Sequence, residues 1–153
     1  MKNLVIGLLI AIMTTSCCVY NPQTIDIPLI TQKHDLRLDA GISIIPSANA
    51  TISYGLTNKI ALQVFGTIGS DERYYFQIAP GIYKTFKHQT VGEIFAGIGY
   101  GHGNAYRDAN PGNMFGNYQI YLVQYNFGKY DSKFLKMDYG FGLKMGYFHS
   151  DLT

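Results

Sequence analysis

From His34 onward, apolar and polar residues alternate with a period of two almost to the end of the chain. The first run sets Leu36, Leu38, Ala40, Ile42 and Ile44 against Arg37, Asp39, Gly41 and Ser43. The second sets Ala48, Ala50, Ile52 and Tyr54 against Asn49, Thr51, Ser53 and Gly55, and the third sets Ile60, Leu62, Val64 and Ile68 against Ala61, Gln63, Phe65 and Thr67. A fourth run covers residues 73–86, a fifth 90–100, a sixth 118–127 and a seventh 134–148. In the seventh, Leu135, Met137, Tyr139, Phe141, Leu143, Met145 and Tyr147 oppose Lys136, Asp138, Gly140, Gly142, Lys144 and Gly146. Such alternation predicts strands with one apolar face and one polar, glycine-rich face. The expected fold is all-β, an antiparallel up-and-down meander forming a small barrel of about eight strands. Seven runs are one short of the even number that single-chain bacterial barrels have, so either the sequence stops early and the barrel is incomplete, or the tether supplies a strand, or two short runs are miscounted.

The connections sharpen this picture. Tight turns at Thr57-Asn58, Lys87-His88 and near residues 129–133 fall on one side, with the N-terminal tether. Residues 69–72 and the long polar stretch 101–117 (GHGNAYRDANPGNMFGN) fall on the other, where the short Ile45-Pro46-Ser47 is the exception. Short periplasmic turns and longer outer loops mark a membrane barrel. Tyr54, Tyr74, Tyr75, Tyr100, Tyr118 and Tyr147 cluster towards run ends, as an aromatic girdle requires. A soluble sheet with its apolar face turned into a core would alternate in the same way. Run lengths beyond the usual 5–6 residues favour the membrane version.

Composition supports it. Only 14% of residues are charged and 14% are aromatic, against about 25% charged in ordinary soluble domains. The net charge is +2, with no basic run longer than two residues, so nucleic acid has no electrostatic footprint.

The N-terminus reads as an export signal. Met1-Lys2-Asn3 is a minimal positive region, residues 4–13 (LVIGLLIAIM) are apolar, and Thr14-Thr15-Ser16-Cys17 comes next. The apolar run is too short for a spanning helix. Ser16-Cys17 resembles the site at which a lipoprotein signal is cut before a lipidated cysteine, making Cys17 the expected lipid attachment point. Cys18, or plain signal cleavage nearby, is the alternative. Adjacent cysteines close only a strained disulfide ring, and no further cysteine or clustered histidine completes a metal site. The expected organisation is a signal peptide at 1–16, an extended tether at 17–33 running along or into the next domain, and a barrel domain at 34–153.

Charged residues on the polar faces are Arg37, Asp39, Glu93, Lys136, Asp138 and Lys144, expected as interior ion pairs of a small barrel. The run Gly97-Ile98-Gly99-Tyr100-Gly101-His102-Gly103 lacks the strand-then-helix context of a phosphate loop, and its every-second-residue glycines make room for bulky neighbours. His102 and Asp108 share the long stretch and could meet there. His149 and Ser150 are strand neighbours and point to opposite faces, so they do not form a base and nucleophile. Neither a catalytic triad nor a cofactor site is visible, and no enzymatic activity is expected.

With these residues in view, the chain resembles the small uncharacterised outer-membrane β-barrel proteins of Bacteroidetes-type bacteria, and more distantly porin-like and OmpA-like barrels. The likeness rests on the Ser-Cys signal end followed by Tyr20-Asn21-Pro22 and Ile27-Pro28-Leu29. It continues in the opening strand 36–44, in Ala50-Thr51-Ile52-Ser53-Tyr54 and Thr57-Asn58-Lys59-Ile60-Ala61, and in Ala79-Pro80-Gly81-Ile82-Tyr83 with Phe95-Ala96-Gly97-Ile98-Gly99-Tyr100-Gly101. It implies a location and a fold, not an activity. The expectation is an outer-membrane barrel lipoprotein with a structural or surface-interaction role. Its partners would be membrane lipid and an unknown surface ligand met through loop 101–117. The alternative is a lipid-tethered soluble periplasmic barrel binding a small apolar ligand.

Overall fold

The computed structural model describes residues 25–43, 47–70, 72–105, 114–130 and 138–152. Seven strands succeed one another in chain order: β1 (Leu36–Ser43), β2 (Ser47–Gly55), β3 (Ile60–Gly69), β4 (Tyr74–Phe86), β5 (Thr90–Ala105), β6 (Met114–Lys129) and β7 (Tyr139–Leu152). Each pairs antiparallel with the next, giving one sheet in the order β1-β2-β3-β4-β5-β6-β7. The fold is therefore all-β, a simple meander. β1 and β7 are the edge strands and do not pair with each other, so the sheet is not closed into a barrel.

Local chemistry sets the turns. Thr57 Oγ1 accepts the N–H groups of Lys59 (3.2 Å) and Ile60 (3.0 Å), tightening the β2–β3 connection. Arg73 Nε donates to the Ser70 carbonyl (2.9 Å), and Gly69 N–H donates to the Arg73 carbonyl (2.7 Å), between β3 and β4. At the β4–β5 turn His88 and Gln89 both have positive φ (63° and 61°), a conformation that L-residues adopt at a cost. Pro80 lies inside β4. It cannot donate to the ladder, and the β4–β5 pairing skips Ala79 and Pro80 before resuming in the same register at Gly81–Phe95.

The sheet is strongly curled, and contacts between distant strands show how far. Lys144 Nζ on β7 donates to Gln77 Oε1 on β4 (2.8 Å). Tyr75 on β4 stacks on Tyr118 on β6, with ring centroids 5.8 Å apart. Arg37 Nη1 on β1 meets Asp138 Oδ2, one residue before β7, at 3.4 Å. The concave face buries Ser53, Gln63, Gln77, Glu93, Gln124 and Asn126 with Phe65, Tyr75, Phe95 and Tyr118. The convex face exposes Leu38, Ile52, Ile68, Phe76, Ile82, Ile98, Val123, Phe141 and Met145.

Two expectations need correction. Tyr75 and Tyr118 do not belong to an outer girdle; both are buried on the concave face, because their register partners Gly101 and Thr67 face inward as well. Nor is 101–117 all loop. β5 runs on to Ala105 and β6 starts at Met114, with pairs Gly103–Gly116 and Ala105–Met114. Glycines that look like loop composition serve there as inward strand positions, leaving only 106–113 outside the described residues.

The reason for those glycines is space. A Cβ on Gly99 would lie 1.9 Å from the Tyr75 hydroxyl, and one on Gly101 would lie 2.2 Å from the Tyr118 ring. Gly81 is confined likewise, 2.3 Å from the Phe95 ring. Gly66, on the convex face, would meet nothing within 4 Å. Gly99→Ala is therefore expected to destabilise the fold by about 1–3 kcal/mol through overpacking, whereas Gly66→Ala is neutral or stabilising by up to about 1 kcal/mol. Equilibrium unfolding of both variants checks the contrast.

Candidate functional site: the sheet interior and its N-terminal segment

Residues 25–30 have no regular secondary structure and lie inside the curl, with Pro28, Leu29 and Ile30 buried. Their backbone is held by side chains of the concave face. Glu93, fully buried, accepts the Ile30 N–H at Oε1 (2.6 Å) and the Asn126 amide at Oε2 (2.9 Å). Gln124 Nε2 donates to the Asp26 carbonyl (2.6 Å) and to Asn126 Oδ1 (3.0 Å). Gln63 Nε2 reaches Ser53 Oγ (3.4 Å) and, at 3.5 Å, the same Asp26 carbonyl. A buried carboxylate costs several kcal/mol unless donors surround it, and here the donors are a backbone amide and a side-chain amide.

Glycines again supply the room. A Cβ on Gly55 would fall 2.4 Å from the Gln32 carbonyl, one on Gly128 2.6 Å from Leu29, and one on Gly142 2.7 Å from Ile25. The segment and the strands are shaped to each other. Leu29 takes φ 50° to make the fit, a strained choice that the surrounding contacts hold in place.

Two carboxyl groups of the segment are shifted. Burial first, and the Asp39 carboxylate second, raise Asp26 from the ordinary 3.8 to about 6, against hydrogen bonds from Ile27 and Thr51. At Asp35 burial also opposes ionisation. There the Thr31 N–H and hydroxyl (both 2.9 Å) and the Arg37 guanidinium (3.0 Å) outweigh it and hold the carboxyl below its usual range.

The residues singled out from sequence divide between this interior and its margins. Arg37 faces inward and pairs with Asp35 and Asp138. Asp39 is on the same face of β1, exposed, and acts on Asp26 through space. Lys144 reaches Gln77 and lies 5.8 Å from the Phe65 ring centroid. Glu93 joins amides, not a cation, so the expectation of an interior ion pair fails at that position. Cys17 and Lys136 lie outside the described residues.

Gln63, Gln124 and Asn126, which hold the segment, carry no mark in the sequence beyond the parity of their strands, and Asp26 lies in a stretch without a sustained period. His102 is on β5, not in a loop, with Nδ1 2.8 Å from Asn117 Oδ1 and its ring stacked on Tyr74; Asp108 lies outside the described residues. His149 pairs with outward Gln119 and Ser150 with inward Tyr118, so the two face opposite ways. Among the described residues no three His, Cys, Asp or Glu side chains gather as a metal site. No protein-family model, curated protein or solved structure matches the chain.

Chemically, this interior binds peptide backbone, and the chain's own segment fills it. Glu93→Gln replaces an acceptor with a donor facing donors, and is expected to cost about 1–3 kcal/mol; loss of hydrogen-exchange protection at the Ile30 amide, with the strand amides still protected, would report it. The pH response stems from Asp26. Its pKa is raised in the folded state, so its contribution to docking is complete below about 4 and is lost as pH rises through about 6. Protection factors at Ile30, which divide out intrinsic exchange, should fall over that window, and fall less steeply in Asp26→Asn. Asp35 acts oppositely, its contribution being lost as pH drops through its depressed pKa.

Proposed function

We propose that this chain is an exported, lipid-anchored β-barrel-type protein of the bacterial outer membrane, with a structural or surface-interaction role and no catalytic one. The observation that carries this reading is the reversed polarity of the curled sheet. Glu93, Gln77, Gln124 and Asn126 are buried inside, while Leu38 (70% exposed), Ile68 (73%) and Met145 (63%) face out. In water each such side chain forgoes the roughly 1.5–3 kcal/mol that burial provides, whereas lipid meets them at no such cost. Tyr54, Tyr74, Tyr100 and Tyr147 belong to this outer face, where tyrosines sit at membrane–water boundaries. Strands of 13 to 16 residues in β4 to β7 exceed the 9–11 that a tilted span requires.

The second reading, a tethered soluble barrel with an apolar ligand inside, is less well supported. Phe65, Tyr75, Phe95, Tyr118 and the segment through Leu29 and Ile30 already occupy the interior.

The deciding experiment removes residues 1–17 and supplies a cleavable export signal. An integral barrel extracts only with detergent and migrates heat-modifiably on a gel. A domain that is folded and soluble in buffer alone would sink the membrane reading. Anchoring is tested separately: Cys17→Ser is expected to abolish incorporation of radiolabelled palmitate, and incorporation that survives it but is lost in Cys18→Ser would move the lipid to the neighbouring residue.

A further inference from the structure

On β4 to β7 the outward apolar run ends each time at a tyrosine. Followed away from the tight turns, it stops at Tyr74 on β4, Tyr100 on β5, Tyr121 on β6 and Tyr147 on β7, all exposed. On β5 to β7 the next outward positions are polar: His102, then Gln119 and Asn117, then His149 and Asp151. These tyrosines do not share a row. Tyr74, His102, Asn117 and Asp151 are cross-strand partners, whereas Tyr121 and Tyr147 stand in the row of Ile78 and Ile98, two outward positions lower. The apolar edge therefore drops by four residues from β4 to β7, roughly 13 Å along the strands over three strand spacings of roughly 14 Å in all. Its slope is about 40°, and strands of membrane barrels tilt by about 35–45°. The lower edge runs parallel to it, from Ile82, the outward position before Lys84 on β4, to Tyr139 on β7, again two outward positions lower. Both edges become level when the strands are tilted in a bilayer, a placement that rests on the membrane reading above.

Beyond the upper edge the outward groups have spent their acceptors on one another. His102 Nδ1 donates to Asn117 Oδ1 (2.8 Å), and the Tyr121 hydroxyl donates to Gln119 Oε1 (3.4 Å). The carboxamide N–H groups of Asn117 and Gln119 point from exposed side chains and have no hydrogen bond among the described residues. Asp151, beside Asn117, faces the His149 ring at 3.8 Å. Next to His102 lies a hollow of 530 Å³ lined by Ile68, Gly69, Glu72, Arg73, Tyr74 and His102, with opposite charges on its wall. Such a volume suits a small group. A patch whose free groups are donors selects an acceptor. Phosphate oxygens are strong acceptors, and tyrosines mark the head-group level at which lipid phosphates lie.

We propose that the outward patch of His102, Asn117 and Gln119 docks the phosphate of a bilayer lipid head group, whose acyl chains lie against Ile98, Tyr121 and Val123 below.

The chain has no tryptophan, so a single introduced one reports alone. Ile52→Trp, Ile78→Trp and Tyr147→Trp are made in the full chain and placed in vesicles of a phosphate-free galactolipid. The probes are chain-brominated phosphatidic acid and chain-brominated diacylglycerol, which quench tryptophan and differ in the phosphate. Phosphatidic acid should quench Tyr147→Trp about threefold more strongly than diacylglycerol at equal content, and should show no preference at Ile52→Trp, across the sheet. Adding Asn117→Leu with Gln119→Met, both neutral, should level the two lipids, and adding Asp151→Asn should widen the gap. Aqueous iodide should reach Tyr147→Trp and not Ile78→Trp, although the two share a row. A phosphate preference as strong at Ile52→Trp, or one that survives loss of both amides, would overturn the proposal, as would equal iodide access at the two row partners. If no variant is quenched by either brominated lipid, the membrane reading itself falls and this proposal with it.

Discussion

Seven strands curled tightly enough for β7 to touch β4 enclose very little space, and that shortage governs the rest of the structure. Tyr75 and Tyr118 fill the interior only because Gly99 and Gly101 on β5 bring no side chain against them. Phe95 needs Gly81 in the same way, and the N-terminal segment needs Gly55, Gly128 and Gly142. Large and absent side chains are matched across neighbouring strands, which fixes register as firmly as the backbone ladder does. A slip of one residue would exchange the inward and outward side chains of a strand, turning Glu93 or Gln124 out and the exposed apolar residues in.

Within that packed space the polar groups form one connected set. Asn126 links Glu93 to Gln124, Gln124 reaches the Asp26 carbonyl, and Gln63 approaches the same atom from the other side. Charge is graded across the sheet. The middle strands carry neutral amides and a single buried carboxylate, whereas Arg37, Asp39 and Asp138 stand at or beside the edge strands, where water still reaches them. Burying a charge is expensive, and the distribution reflects that cost.

Much of this was legible in the sequence, and for a definite reason: a period of two assigns each residue to a face without any knowledge of its neighbours. That suffices for the all-β meander, for the inward placement of Glu93 and Lys144, and for reading Gly97 to Gly103 as room for larger groups. Partners are another matter. Which residue meets Glu93 depends on the register offsets of β5 against β6 and on the path of residues 25–30, and neither leaves a local trace. Tyr75 and Tyr118 misled because their position near run ends outweighed their parity. The stretch 101–117 misled because glycine and asparagine mark loops and tightly packed strands alike.

The segment through Ile30 also orders events in time. It leaves the ribosome before any strand, yet its backbone partners Glu93 and Gln124 come from residues 63 and 98 positions away from the atoms they bind. Closing such separations costs more chain entropy than closing the hairpins of the meander. The earliest described stretch of the chain thus finds its backbone partners only once β5 and β6 exist. Without that stretch Glu93 and Gln124 lose the Ile30 N–H and the Asp26 carbonyl as partners, so the chain's own N-terminal residues complete the interior that the later strands enclose.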